Sequence, residues 1–168
     1  KDGGVDAAFS LEPKELKEEY EKLCKRYSLP RFDQMDEEFE IRAIELNRSG
    51  VLIKAALRMM TNKLNIFMNY LEPVISAPPQ NLHALIEMRN LSEGERSEMF
   101  EFYKEISVLL HENLSVELKS EKDIAQQIKR VWKVWPDIKK REVALLDKIT
   151  LAWKKKEENP TVKAEYSG

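Results

Sequence analysis

The side chains that most often bind metals or act as nucleophiles are scarce in this sequence. Its 168 residues include two histidines, His83 and His111, and a single cysteine, Cys24. These residues do not have the spacing of a zinc site. His83 and Glu87 lie four residues apart and share one predicted helix face, but they would supply only half of a metal site. We therefore expect no bound metal, and an ordinary surface pair at His83 and Glu87.

No group of residues indicates a catalytic mechanism. Cys24 lies beside the apolar face of a predicted helix and has no histidine near it in sequence, so we expect a small buried hydrophobic residue rather than a nucleophile. The five glycines form no phosphate-binding loop. The sequence thus predicts no catalytic residue, no cofactor and no small-molecule ligand. An enzyme without a local motif stays open as a hypothesis, which a cleft lined by Glu and His with shifted pKa values would support.

Aromatic and cationic residues are interleaved near the C-terminal end of the sequence. All three tryptophans, Trp132, Trp135 and Trp153, lie among its densest lysines. Such a pattern can stack the bases of single-stranded nucleic acid and contact its phosphates. The competing interpretation places the tryptophans in a seam between packed helices, because Trp135 falls on an apolar register. The nucleic-acid candidates are Lys129, Arg130, Lys133, Lys139, Lys140 and Arg141.

A polar row follows the helix predicted in the middle of the chain. Its members recur at intervals of four, three, four and three residues, so they share one helix face: Arg58, Asn62, Asn65, Asn69 and Glu72. Asparagine is a poor helix former, so three on one face usually indicate a reason, although plain solvation of this face also explains them. Their amides can both donate and accept hydrogen bonds. The candidates for a partner interface are therefore Arg58, Asn62, Asn65 and Asn69.

Apolar residues repeat in the same steps on the opposite side of this helix. The register contains Phe39, Ala43, Leu46, Gly50, Ile53, Leu57, Met60, Leu64, Phe67, Leu71 and Val74. It predicts one long helix that starts after an N-cap at Asp33 and ends near Leu71 or Val74. This helix is expected to be straight or gently bent at Gly50, with a kink there as the alternative. A heptad of this length is typical of a coiled coil and requires a helical partner.

Capping residues and prolines divide the rest of the chain into further helices. Ser92 and Glu95 have the spacing of a capping box, and Ser120 with Asp123 repeats this start signal. Pro136 is expected to kink the last helix or to split it in two. The predicted helices are Leu11 to Tyr27, the long central helix, Asn81 to Asn90, Glu93 to about Leu118, and Glu121 to Lys156.

These elements predict an all-α fold, an elongated antiparallel bundle of about five to six helices built around one long central helix. A composition of 42% hydrophobic and 35% charged residues fits a single globular domain. We place this domain at residues 10–158, between a disordered or vector-derived tail at 1–9 and a flexible tail at 159–168. The lone cysteine fits a reducing compartment, so a cytoplasmic location is expected. No segment is apolar enough to span a membrane.

The charges are distributed unevenly, although the formal net charge is only −2. Acids dominate from Asp33 to Glu45, and cations dominate from Lys129 to Lys156. Solvated helix faces explain this pattern, and the alternatives are pairing between chains or a nucleic-acid patch.

The flanking helices look too short to cover the whole apolar register, which indicates an apolar surplus that a partner would bury. The leading hypothesis is a non-catalytic helical interaction or scaffold protein, either self-associating as a homo-oligomer or a subunit of a larger assembly with a protein partner. The alternative is a nucleic-acid-binding helical domain that uses the basic, Trp-containing C-terminal helices.

Overall fold

The computed structural model describes residues 13–44, 51–76 and 80–157. Within these ranges the chain forms six α-helices and one short 3₁₀ helix at Ile41–Ala43, without strands. The α-helices are α1 Pro13–Tyr27, α2 Phe32–Phe39, α3 Leu52–Ser76, α4 Leu82–Arg89, α5 Glu93–Val116 and α6 Glu121–Glu157. The predicted all-α fold is confirmed. The predicted tails at 1–9 and 159–168, and Gly50, lie outside the described residues.

Helix α3 is the centre of the bundle and packs against both α5 and α6. Asn113 on α5 bonds to Thr61 on α3, and Ser107 bonds to Met68, so residue numbers rise along one helix as they fall along the other. These two helices are therefore antiparallel. Helices α5 and α6 are antiparallel as well. Their ion pairs show this, since Arg130 pairs with Glu112 and the later Lys148 pairs with the earlier Glu95.

The apolar register of α3 is the core of the protein. Side chains at five of its positions are 0% exposed, namely Ile53, Leu57, Met60, Leu64 and Leu71, and Val74 is 2% exposed. The expectation that the chain's own helices would leave this register partly uncovered is therefore wrong for these positions, and Phe67 is the register member of α3 that stays half-buried. The reason is that α5 and α6 flank most of its length and that α1, α2 and α4 also pack against it.

The prediction of one helix from Asp33 to Val74 is wrong in its first part. Helix α2 ends at Phe39 because Glu40 adopts the left-handed conformation, with φ 57°, and a 3₁₀ helix follows. Asp36 stabilises this break, since its Oδ1 accepts a hydrogen bond of 2.8 Å from the Arg42 backbone N–H. Phe39 is buried but Ala43 is exposed. These two residues therefore do not share a helix face, although they are four residues apart.

The capping residues fall where the sequence places them, except at α2. Ser92 Oγ accepts from the Glu95 N–H at 3.2 Å, and the Glu95 carboxylate accepts from the Ser92 N–H at 2.8 Å. Asp33 is not an N-cap, because α2 already begins at Phe32. Pro136 lies inside α6, which continues through it as one helix.

Three buried polar side chains connect the central helices. The Asn113 amide nitrogen donates to Thr61 Oγ1 at 2.9 Å, and the Gln127 amide nitrogen donates to Asn113 Oδ1 at 2.8 Å. Thr61 in turn donates to the Leu57 carbonyl oxygen at 2.9 Å. Asn113 is 1% exposed. This chain of bonds, here called the polar bridge, spans α3, α5 and α6.

We predict that Asn113→Ala lowers the free energy of unfolding by about 2 kcal/mol, because it leaves the buried Gln127 amide without its acceptor. Chemical denaturation monitored by circular dichroism measures this change. The control is Leu114→Ala at the next position, which is 60% exposed and should change stability by less than about 0.5 kcal/mol. Equal effects of the two substitutions would contradict a stabilising role for the polar bridge.

Candidate functional site

The candidate interface residues all lie on the side of α3 that faces away from the core. Arg58, Asn62, Asn65 and Asn69 are exposed, as is Glu72. Because this side is opposite the buried register, the packing of α3 against α5 and α6 holds it outward. We call Arg58, Asn62, Asn65, Ile66, Asn69 and Glu72 together the asparagine face.

Ile66 is the apolar member of the asparagine face, and the sequence-based reasoning missed it. Its side chain is 60% exposed. It lies four residues after Asn62 and three before Asn69, so it shares their side of the helix. The signal in the sequence was an isoleucine outside the apolar register of an otherwise amphipathic helix.

Arg58 is anchored at the edge of the asparagine face by the end of α5. Its Nε and Nη2 donate to Glu117 Oε2 at 3.0 and 2.9 Å. Its side chain nevertheless stays 61% exposed. The ion pair raises the pKa of Arg58 and fixes the direction of its guanidinium. By contrast, Asn62, Asn65 and Asn69 make no side-chain hydrogen bond to any other described residue.

Four of the six nucleic-acid candidates contact other parts of their own chain. Lys139 Nζ lies 2.8 Å from Glu38 Oε1 on α2. This ion pair joins the acidic and basic segments of the sequence within one molecule. The other three contacts are Lys129 with the Tyr27 carbonyl oxygen, Arg130 with Glu112, and Arg141 with Glu105 and Asp137. Lys133 and Lys140 are exposed and pair with no described residue.

The tryptophans near these cations pack within the protein. Trp135 is 3% exposed and stacks on Phe67, with ring centroids 5.6 Å apart and planes 4° apart. Its Nε1 donates to Glu38 Oε2 at 2.7 Å, and Phe39 contacts both Trp135 and Trp132. The interpretation of Trp135 as a core residue is confirmed. Its ring face is thus occupied by the protein's own aromatic residues.

Cys24 is half-buried at the α1–α2 corner. Its thiol donates to the Pro30 carbonyl oxygen at 3.2 Å. Burial raises the thiol pKa to about 11, so little thiolate forms at neutral pH. This environment agrees with a structural rather than a nucleophilic cysteine.

Glu87 is buried where α4 meets α6, so the expectation of a surface pair at His83 and Glu87 is wrong for the glutamate. Glu87 is 4% exposed, and its Oε1 accepts from Trp153 Nε1 at 3.3 Å. His83 Nδ1 lies 3.4 Å from the same oxygen, and the His83 ring stacks on Trp153 at 5.0 Å. His83 itself is exposed. In the described part of the chain, no three metal-ligating side chains come together.

Glu142 is a second buried acid, at the position where the α6 apolar pattern is interrupted. It is 3% exposed, and its Oε2 has no hydrogen-bond partner within the described ranges. Burial raises its pKa to about 7. The pKa of Tyr70 on α3 is raised to about 12, by burial and by the charges of Glu87 and Glu142. A carboxyl group that titrates near neutral pH therefore lies inside this end of the bundle.

A cavity of about 600 Å³ lies between the start of α5 and the second half of α6, but Glu142 does not line it. The charged residues that do line it include Glu95, which pairs with Lys148 at 3.1 Å, and Arg141, which lies over the Phe102 ring. Hydrogen bonds from Ser92 lower the pKa of Glu95 to about 2, so this carboxylate stays ionised. Both charged groups are thus engaged in contacts within the protein.

Comparisons of the chain with models of protein families, with curated proteins and with solved structures find no match. None of the described helices is both long enough and apolar enough to cross a membrane.

We predict that Glu142→Gln stabilises the protein at pH 8 and has little effect near pH 4.5. The folded chain keeps the Glu142 proton up to about pH 7, whereas the unfolded chain releases it near 4.5. The folded state thus binds more protons between these values, so the wild type loses stability as the pH rises through this window. A neutral amide removes this loss, which we expect to be about 3 kcal/mol.

Denaturant unfolding at both pH values measures the effect, with the exposed Glu98→Gln as control. If Glu142→Gln shifted stability equally at both pH values, the charge of the buried carboxylate would not be the cause.

Proposed function

We propose that this chain is a non-catalytic helical interaction protein, self-associating or a subunit of a larger assembly, and that it binds through the asparagine face. The observation that carries the proposal is that α3, the most enclosed helix of the bundle, leaves this face open with Ile66 60% exposed. An exposed apolar side chain among unpaired amides is a composition that a partner can bury while it pairs with the amides.

The packing of α3 supports binding by a rigid surface. Its core side is closed by α5 and α6, and the polar bridge fixes its register against both. A preformed helix face loses little conformational entropy on binding. The amides of Asn62, Asn65 and Asn69 can then supply both donors and acceptors around the apolar side chain of Ile66.

A photoreactive residue tests the proposal in an extract of cells that naturally express the protein. We expect p-benzoylphenylalanine at position 69 to form cross-links to protein, either to this chain or to another, and the same residue at the exposed position 122 on α6 to form few. Equal cross-linking from both positions would contradict binding through this face. The nucleic-acid alternative predicts that a labelled single-stranded oligonucleotide binds with an affinity that falls steeply as the salt concentration rises. It also predicts cross-links to this oligonucleotide from position 140.

We predict that Ile66→Glu reduces cross-linking from position 69 at least ten-fold, because it places a charge at the apolar centre of the interface. The exposed side chain contributes little to folding, so the free energy of unfolding should change by less than about 0.5 kcal/mol. Leu151→Glu is the matched control, since Leu151 is 56% exposed on α6 and lies off this face. An equal loss of cross-linking in the control would argue against a specific role of Ile66.

A further inference from the structure

We infer that the asparagine face binds a second copy of this chain, with the two α3 helices antiparallel across a two-fold axis near Asn65. This inference rests on the proposed function, since it uses the same face. A two-fold interface must be complementary to itself, so that each contact occurs twice. The order of charges and amides along α3 meets this condition.

The charged residues are placed symmetrically about Asn65. Arg58 lies seven residues before it and Glu72 seven residues after it, which is two helical turns in each direction. An antiparallel copy therefore brings Arg58 opposite Glu72 of the second copy, and the symmetry repeats this pair at the other end. A parallel copy would bring like charges together, which is unfavourable.

The residues between the charges are also compatible with their own copy. Asn62 lies three residues before Asn65, and Asn69 lies four residues after it. Asn62 of one copy therefore lies opposite Asn69 of the second copy across the axis. An amide donates and accepts, so two asparagines can pair in either orientation. Ile66 lies beside the axis, and its two copies can bury apolar surface against each other.

The atoms of the end residues are available for these contacts. Glu117 occupies Nε and Nη2 of Arg58, which leaves Nη1 free to donate to a second carboxylate. Glu72 is exposed and forms no ion pair with any residue in the described ranges. The pair with Glu117 also orders the guanidinium before binding, which reduces the entropy lost when the dimer forms.

Charge reversal tests both the second copy and its direction. In sedimentation equilibrium we expect the wild type to dimerise as its concentration rises, and Arg58→Glu and Glu72→Arg each to weaken dimerisation at least ten-fold. An equimolar mixture of these two variants should dimerise again, because each end then pairs opposite charges. The double variant Arg58→Glu/Glu72→Arg should dimerise like the wild type. Glu117→Gln, which leaves the charges across the axis unchanged, is the control for loss of the intrachain pair.

A wild type that stays monomeric at every concentration would overturn the second copy. Single variants that dimerise as tightly as the wild type, or a mixture that stays monomeric, would overturn the antiparallel arrangement. Circular dichroism of each variant confirms that it is folded. If the pure protein is monomeric but position 69 still cross-links to a different protein, the second copy fails while the proposed function stands. If neither self-association nor any cross-link from position 69 is found, both fail.

Discussion

The structure depends on one chain of buried hydrogen bonds, the polar bridge from Gln127 through Asn113 to Thr61. Apolar contacts alone allow helices to slide or rotate against each other at a small cost in free energy, because an aliphatic side chain can exchange one apolar neighbour for another. A buried amide has no such freedom, since every shift leaves a donor or acceptor unpaired. The bridge therefore sets how α3, α5 and α6 are aligned and which side of each helix faces outward.

This alignment determines two further features of the structure. It turns the apolar register of α3 inward and the asparagine face outward, where Arg58 is oriented by Glu117 at the end of α5. It also encloses Glu142 at the end of the bundle near Tyr70, where the carboxyl group titrates close to neutral pH. The first feature is the surface through which we propose that the chain binds, and the second makes the stability of the fold depend on pH.

Much of the fold follows from local signals, and the exceptions have physical causes. Ser92 and Ser120 mark two helix starts because their side chains and those of Glu95 and Asp123 satisfy free backbone N–H groups. The end of α2 at Glu40 could not be predicted, because a left-handed residue leaves the apolar spacing unchanged. On α5, the apolar Leu114 is 60% exposed while the polar Asn113 beside it is buried, because Asn113 belongs to the polar bridge. The asparagine row was visible in the sequence, whereas its exposure depends on the packing of distant helices.

The most direct test of this account is the NMR spectrum of the side-chain amides as the protein concentration is raised. We expect concentration-dependent shifts for the amides of Asn62, Asn65 and Asn69, because these residues lie on the asparagine face, where the second copy binds. The amides of Asn113 and Gln127 should stay unshifted and exchange slowly with water, because the polar bridge is buried. Shifts confined to other surfaces, or rapid exchange at Asn113, would contradict the account.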